Sequence, residues 1–555
     1  MKVTGNRRWW AAAALALSGM IIGIDGTVLS LALPTLATDL HASTSELQWF
    51  VDAYLLALGA MMLPAGLLGD RFGRKKLLLG ALALFGIGSL ACAYASTSGQ
   101  LIAARVLLGL AAAFVVPLSI SVLPVMFGEH ERQRAIAVVF SAAMIAYPVG
   151  PILGGWLLTN YWWGSVFLIN IPAIALAMLA VALLMPESRS ETRPGLDLAG
   201  MLLSTVGLVA LSYGLIEAGE RGWGDVRSIA FILAGLAVLA GFVAWERRLT
   251  LAIRQASLGS ASVGGQAPAG SASVAGQAPA GSASVAGGRQ PLIDLDLFRS
   301  GDFTWGTVLS TLLSFALIGL LFAVPQYFRA VLGYDAMDTG LRLLPLIGGL
   351  IVGIGTGDRI SKLGGARVAV ALGFAVVTGG LVIAAFTGTG DGTGYAATWL
   401  AIGGFGFGVA LPPTMNAALS KLTGERSGVG SAVIQAVRQV GATFGVALLG
   451  SVLNSAYRDR VHLSGLPTQV SAAIHDGVSS GAPAAAQLGS AELLAMVRSA
   501  FIHGMDVMLA VSAGITVAAA VLALIFLPGR SARRPELPEA AREAEEVEEV
   551  TRTIV

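Results

Sequence analysis

Blocks of apolar residues, each about twenty long and repeated along most of the 555-residue chain, are what most restrict its fold. A hydrocarbon core of roughly 30 Å needs about 20 such residues in a helix. No backbone polar group can be left unpaired there, so each block is expected to be helical. Spans are predicted near 11–33, 47–68, 77–95, 101–126, 135–159, 165–185, 196–216, 227–245, 304–327, 339–357, 367–386, 394–416, 428–452 and 504–527, about fourteen in all. Only 12% of residues are charged, about half the share of a soluble chain, and mean hydropathy is +0.76. The fold class is therefore an all-α membrane protein. Net charge of +2 without a basic patch gives no pointer to nucleic acid. A single cysteine, Cys92, excludes a disulfide within the chain. Lys2, Arg7 and Arg8 precede the first span with no small-residue cleavage site after a short core, so that span is expected to be retained.

Sidedness follows from the basic residues. Arg71, Arg74, Lys75 and Lys76, then Arg132 and Arg134, Arg189 and Arg193, Arg359, Lys362 and Arg367, and Lys421 and Arg426 fall in alternate short loops. The loops 34–46, 96–100, 160–164 and 387–393 contain neither Lys nor Arg. The first set is expected to be cytoplasmic, with both termini, in a multi-pass protein of the cell membrane. Residues 259–288 repeat GSASVGGQAPA, GSASVAGQAPA and GSASVAGG, a composition that buries no core and predicts a flexible cytoplasmic tether. The tail beyond Pro528 is acidic and expected to be solvated.

GlyAspArg at Gly69–Asp70–Arg71 recurs at Gly357–Asp358–Arg359, each closing a helical hairpin. Equating them makes spans 1–6 and 9–14 two six-helix halves, with spans 7 and 8 inserted. The boundaries expected are 1–186, 187–246 for the insertion, 247–300 for the linker, 301–528, and 529–555 for the tail. Carriers built from repeats place their substrate site near the midplane between them.

Ordered strings complete the pattern: IDGTVLSLALP from Ile24, GLLGDRFGRKK from Gly66, LIAARVLLG with Arg105 and Gly109, YPVGPILGG in the fifth span, FLINIP from Phe167, PLIDLDLFR from Pro291 and QYFRAVLGY from Gln326. With these the chain resembles the fourteen-span drug:proton antiporter family of the major facilitator superfamily. The resemblance covers all but the tether and tail, although Ala146 stands where the fifth-span signature usually begins with glycine. It implies a major facilitator fold of two six-helix bundles plus two inserted helices. It also implies a cytoplasmic gate loop at Gly66, Asp70, Arg71, Gly73 and Arg74. The antiporter motif falls at Gly150, Pro151, Gly154 and Gly155, where small residues four apart permit close helix contact.

Asp25 lies about fourteen residues into an otherwise apolar span, where insertion of a carboxylate costs roughly 2.5–3.5 kcal/mol. At about 1.5 Å per residue it sits some 13 Å below the outer end of its helix, while Asp52 and Arg105 sit near 8 Å. All three are expected in the outer half of one bundle. Desolvation disfavours a bare carboxylate and a nearby guanidinium favours it, so a carboxyl held between the two is poised to exchange a proton. A static ion pair that orients helices is the alternative. In the thirteenth span Gln435, Arg438 and Gln439 are candidate cavity groups. Quaternary-ammonium exporters of the family carry acids where this chain has Ile434, Gln435, Gln439 and, in the tenth span, Leu350. That departure favours monocationic, zwitterionic or neutral amphiphiles over dicationic antiseptics.

GFGFG at Gly404–Gly408 sits inside a span with no strand before it, and no GxxxxGK[ST] string occurs, so neither an enzyme nor an ATP-driven pump is expected. The five histidines make no metal pattern and no cofactor is expected. The reading is proton-driven export of amphipathic drugs, antiseptics or antibiotics by alternating access, with the substrate, protons and lipid as partners. A proton-coupled uptake symporter and a non-transporting membrane sensor are the alternatives.

Overall fold

Helices follow wherever the apolar blocks lie. A computed structural model describes residues 7–127, 129–188, 197–263, 292–293, 295–388, 390–419, 424–463 and 466–527. Arg189, Arg193, Lys421, the tether at 264–290, the tail, and the side chains of Asp70, Arg132, Arg134 and Arg426 lie outside the described residues. The first half comprises α1 (Arg7–Asp39), α2 (Thr44–Phe72), α3 (Arg74–Ala93), α4 (Ser98–Met126), α5 (Glu129–Asn160) and the broken pair α6 (Ser165–Leu168) and α7 (Asn170–Leu184). Two inserted helices follow, α8 (Leu198–Arg221) and α9 (Val226–Val263). The second half comprises α10 (Gly301–Gln326), α11 (Ala336–Arg342), α12 (Leu344–Gly364), α13 (Ala366–Ala384), α14 (Thr393–Leu419), α15 (Gly424–Arg458) and α18 (Ala491–Phe526). The short helices α16 (Thr468–Asp476) and α17 (Val478–Gln487) lie between the last two. Twelve segments are long and apolar enough to cross a bilayer by themselves. Adding α2 and α5, of 29 and 32 residues, makes fourteen helices of membrane-crossing length among the described residues.

The halves repeat one packing scheme. Within the first, α1 packs on α5, α2 on α4, and α3 on both α4 and α7. Within the second, α10 packs on α15, α12 on α14, and α13 on both α14 and α18. Each half has its own apolar core. The GlyAspArg pair is equivalent in space as well as in sequence. Gly69 lies against Leu118 of α4, and Gly357 against Val409 of α14. Each hairpin then turns at one glycine with positive φ, Gly73 at 109° and Gly365 at 85°, a region L side chains avoid.

Helix starts are written locally. Ser43 and Glu46 form a reciprocal capping box at α2, and Thr97 caps α4. Among the inserted helices α8 packs on both α2 and α15, so it straddles the seam between halves. Ser451 Oγ donates to Leu215 O at 2.7 Å, and Trp49 approaches Tyr213. α9 packs mainly on α8 and is otherwise little buried, as a lipid-facing helix would be.

Two expectations change. The linker expected over 247–300 is helical to Val263, because Leu249, Leu251, Ala252, Ile253, Arg254 and Gln255 are good helix formers that carry α9 onward. Residues Leu295–Arg299 form a short 3-10 turn before α10. The last span also begins earlier, at Ala491 rather than 504. Excising 264–288 is expected to leave substrate efflux unchanged in whole cells; loss of efflux with normal protein levels would overturn the passive-tether reading.

Candidate functional site

The basic joint between α2 and α3 defines one end of the molecule, and contacts between halves cluster toward the other. At the far end Thr44 Oγ1 donates to Asp476 O at 2.7 Å and Ser480 Oγ to Ala37 O at 3.4 Å. Arg329 donates to Thr35, and Thr159 Oγ1 accepts from Met337 N at 3.2 Å. The α16–α17 pair, held by Tyr457 Oη donating to Ile474 O at 2.8 Å, thus touches both halves.

The antiporter motif builds part of this seam. Gly150 lies against Thr27 and the Ile24 carbonyl, and Gly154 against Val28 and Leu31, all on α1. Gly155 lies against Ala336 and Met337 of α11, and Gly340 of α11 against the Pro151 carbonyl. Only helices without side chains at these positions approach so closely. The symmetry-related seam joins α2 to α15: Gln48 Nε2 donates to Val446 O at 3.4 Å, and Gly59 rests on Gln439.

Asp25 and Arg105 come together as expected. An Arg105 guanidinium nitrogen lies 2.6 Å from Asp25 Oδ2, and both side chains are about 1% exposed. Asn170 Nδ2 approaches Asp25 Oδ1 at 3.3 Å, Arg105 Nε donates to Phe50 O at 2.9 Å, and the guanidinium lies 4.3 Å from the centre of the Tyr54 ring. Asp52 does not join them. It shares a helical face with Gln48 and Gly59, four and seven residues away, and so faces α15. Phe50 and Tyr54 hold Arg105 on the opposite face. Asp52 is fully buried, with no hydrogen-bond partner on either carboxylate oxygen among the described residues.

The gate-loop residues bind within the first half. Arg74 donates to Ser121 O of α4 at 2.9 Å, and its amide to Ser188 O at 2.9 Å. Lys75 Nζ donates to Ala182 O at 2.7 Å. Arg71 is exposed over Phe72, and Gly66 has open space around it.

A cavity of about 660 Å³ lies between the halves, reaching from mid-membrane toward the basic end. Gly19, Ile22 and Gly23 of α1, Val116 and Ser119 of α4, Leu313, Ser314 and Leu317 of α10, Leu350 and Ile354 of α12, residues of α14, and Gln435 and Arg438 of α15 line it. Most of this lining is apolar. Arg438 Nε donates to Ser314 Oγ at 3.1 Å and another guanidinium nitrogen to Gln435 Oε1 at 2.8 Å. Of the three polar candidates on α15, Gln439 therefore belongs to the seam with Gly59 rather than to the cavity wall. Ser119, Ser314 and Asn416 also line the cavity; a small polar side chain in an apolar span is the one sequence signal that marks each of them. Asp25 follows Gly23 by two residues, so ion pair and cavity share one turn of α1.

Comparison with known proteins supports this architecture. The chain is 30% identical to the tetracenomycin C resistance and export protein of Streptomyces glaucescens, over 94% of this chain and 91% of that one. It is 31% identical to a probable actinorhodin transporter of Streptomyces coelicolor, covering 85% and 75% of the two chains, and 29% identical to the multidrug efflux pump LfrA of Mycolicibacterium smegmatis, covering 94% and 96%. Among solved structures, a bacterial homologue of the human lysosomal transporter Spinster superposes with a TM-score of 0.62 at 15% identity, over 95% of this chain and 100% of that one. The family profile described as Major Facilitator Superfamily matches residues 15–446, and the chain belongs to that superfamily.

Proposed function

We propose that this membrane protein exports amphipathic, antibiotic-like molecules across the cell membrane in exchange for protons. Likeness to drug and antibiotic exporters over nearly the whole chain supports export. The observation that carries proton coupling is the buried Asp25–Arg105 pair, on the same turn of α1 as the cavity-lining Gly23.

The basic end is assigned to the cytoplasm by its Arg and Lys residues, together with both termini. The seam at the far end is then the closed extracellular gate, and the cavity faces inward to load substrate. In this state Asp25 is ionised against Arg105. Protonation from outside dissolves the pair, and release of that proton inward restores it, so α1 carries both the proton site and part of the substrate wall. One proton moving through 100 mV gains about 2.3 kcal/mol, which at about 1.4 kcal/mol per tenfold supports roughly a fifty-fold gradient of neutral substrate.

Asp52 has a different part. It shares the face of α2 that meets α15, away from the Asp25–Arg105 pair, and is not among the described residues lining the cavity. It gates closure instead of carrying the transported proton. Asp52→Asn is accordingly expected to keep the proton-to-substrate ratio unchanged while favouring the seam-closed state, read as lower reactivity of an extracellular cysteine at the seam. A changed ratio would return Asp52 to the proton path.

The function itself is tested by accumulation of cationic dyes, biguanides and antibiotics in a sensitive bacterial host. Expression should lower accumulation of at least one compound, and a protonophore should restore it. Raised accumulation would establish uptake instead. Unchanged accumulation throughout would favour a non-transporting sensor.

A further inference from the structure

A second, smaller cavity lies at the far end of the seam, and transport through the large cavity gives it no role. Its volume is about 250 Å³, and it sits where α1 meets α17, α18 and the π turn Tyr327–Val331 that follows α10. One water takes about 30 Å³ of the liquid, so the space admits a larger group. Two arginines stand on its wall, Arg329 from the turn and Arg498 from α18. Both are partly buried, and a guanidinium keeps its charge at any physiological pH. Each has a neutral partner: Arg329 donates to Thr35 of α1, and Arg498 Nε donates to Ala330 O at 3.2 Å. Neither forms an ion pair among the described residues. The acids whose charges act on Arg329 are Asp335 and Asp39. Both are exposed to screening by water and engaged elsewhere, Asp335 with the Asp338 amide at 2.7 Å and Asp39 with the Thr38 hydroxyl at 3.3 Å. No acid is among the described residues that line the cavity. Ser479 of α17 stands on the same wall, 6% exposed, and its hydroxyl has no hydrogen-bond partner among the described residues.

We propose that this cavity binds a phosphate group, carried on a lipid or free in solution, and that its occupation holds the seam shut. A guanidinium offers five N–H donors in a planar fork that matches phosphate oxygens in pairs. Arg329 and Arg498 spend few of these donors within the protein. Pro34, Ala482 and Leu494 give the rest of the wall an apolar surface on which the glycerol of a lipid can rest.

The link to the seam is geometric. Pro34 and Thr38 come from α1 of the first half, whereas both arginines and Ser479 come from the second. Opening the seam withdraws α1, which removes one wall of the cavity and the Arg329 bond to Thr35. A ligand that binds one state better shifts the population toward it by the difference in its affinities. On the proposed sidedness the phosphate arrives from the outer leaflet or the external medium and favours the substrate-loading state. The string QYFRAVLGY, which contains Arg329, thereby gains a role.

The test reads seam opening at a point outside the cavity. Ala336 is buried at the contact of α11 with Gly155 and is not part of this wall. Ala336→Cys therefore reports opening through its rate of reaction with a maleimide. The full chain carrying it is kept in dodecyl maltoside micelles, which contain no phosphate and expose both faces. One arm compares potassium phosphate with potassium chloride at equal ionic strength. The other compares added phosphatidylglycerol with diacylglycerol, the same lipid without its phosphate. At least one phosphate source should slow labelling by about fivefold or more against its control. Arg498→Gln should bring that ratio to one, and Arg498→Lys should keep part of it. Arg498 is the residue to replace because Arg329 also bonds Thr35, so its loss would disturb the seam with or without ligand. Slowing by inorganic phosphate identifies a free oxyanion as sufficient, and slowing by the lipid alone identifies the headgroup. Slowing by neither, or equal slowing with and without Arg498→Gln, overturns the proposal. The exporter reading is decided separately, by compound accumulation in cells.

Discussion

In everted vesicles, replacement of Asp25 by Asn abolishes substrate-induced proton release, bringing it to the level of vesicles without the protein. The expectation follows from the pair itself. Asp25 is buried, 2.6 Å from a guanidinium nitrogen, with Asn170 as its only other described partner. An amide has nearly the shape of a carboxyl and no proton to exchange. It also leaves Arg105 charged and buried, and breaking one side of such a pair costs about 3–5 kcal/mol. Lost transport alone therefore does not separate a coupling defect from a folding defect. The double replacement Asp25→Asn with Arg105→Gln does, because it removes both charges. It is expected to recover most of the inserted protein and none of the proton flux. Retained coupled transport in either variant, measured with a pH-sensitive dye and normalised to membrane protein, would remove Asp25 from the proton path.

The pair was legible because charges are scarce in apolar spans and because depth along a helix can be counted. Asp25 and Arg105 have few other partners available at that level. Asp52 lies at the depth of Arg105, yet depth says nothing about which way a residue faces. Its direction emerges only when Gln48 and Gly59 are seen to touch α15. Azimuth also divides the α15 residues. Gln435, Arg438 and Gln439 have spacings of three and four and read as one polar stripe, but the stripe lies at an edge where cavity meets seam. Two of its members line the cavity and the third rests on Gly59. The α16–α17 pair was missed for another reason. Nine- and ten-residue helices broken by Gly477 and containing Pro483 make no membrane-length apolar block. Ile474, Val478, Ala482 and Ala485, spaced by four, four and three and all buried, were the available signal. Which end of the seam is closed was not legible at all, since one sequence must serve both states.

That closed seam yields the second large effect. On the proposed sidedness, Gly155→Leu is expected to open the seam at its extracellular end and slow export by about tenfold or more, because overpacking costs about 1–3 kcal/mol and each 1.4 kcal/mol is a tenfold change in population. A side chain there runs into the backbone of Ala336 and Met337, which has no flexible tip to swing aside. The nearest relief is separation of α5 from α11, which is the motion that opens this end. Ser480→Cys reports it, since Ser480 lies on α17 and bonds across the seam to the Ala37 carbonyl. Cys92 is fully buried and adds little background. A membrane-impermeant maleimide should label Ser480→Cys faster when Gly155 is Leu, with Ala in place of Leu giving a smaller increase. Gly150→Leu is the contrast: it meets Thr27 and Ile24 of α1 inside the first half, so it should lower the amount of folded protein without raising labelling per molecule. Equal labelling and equal export in Gly155→Leu would mean that the motif packs helices together without gating them.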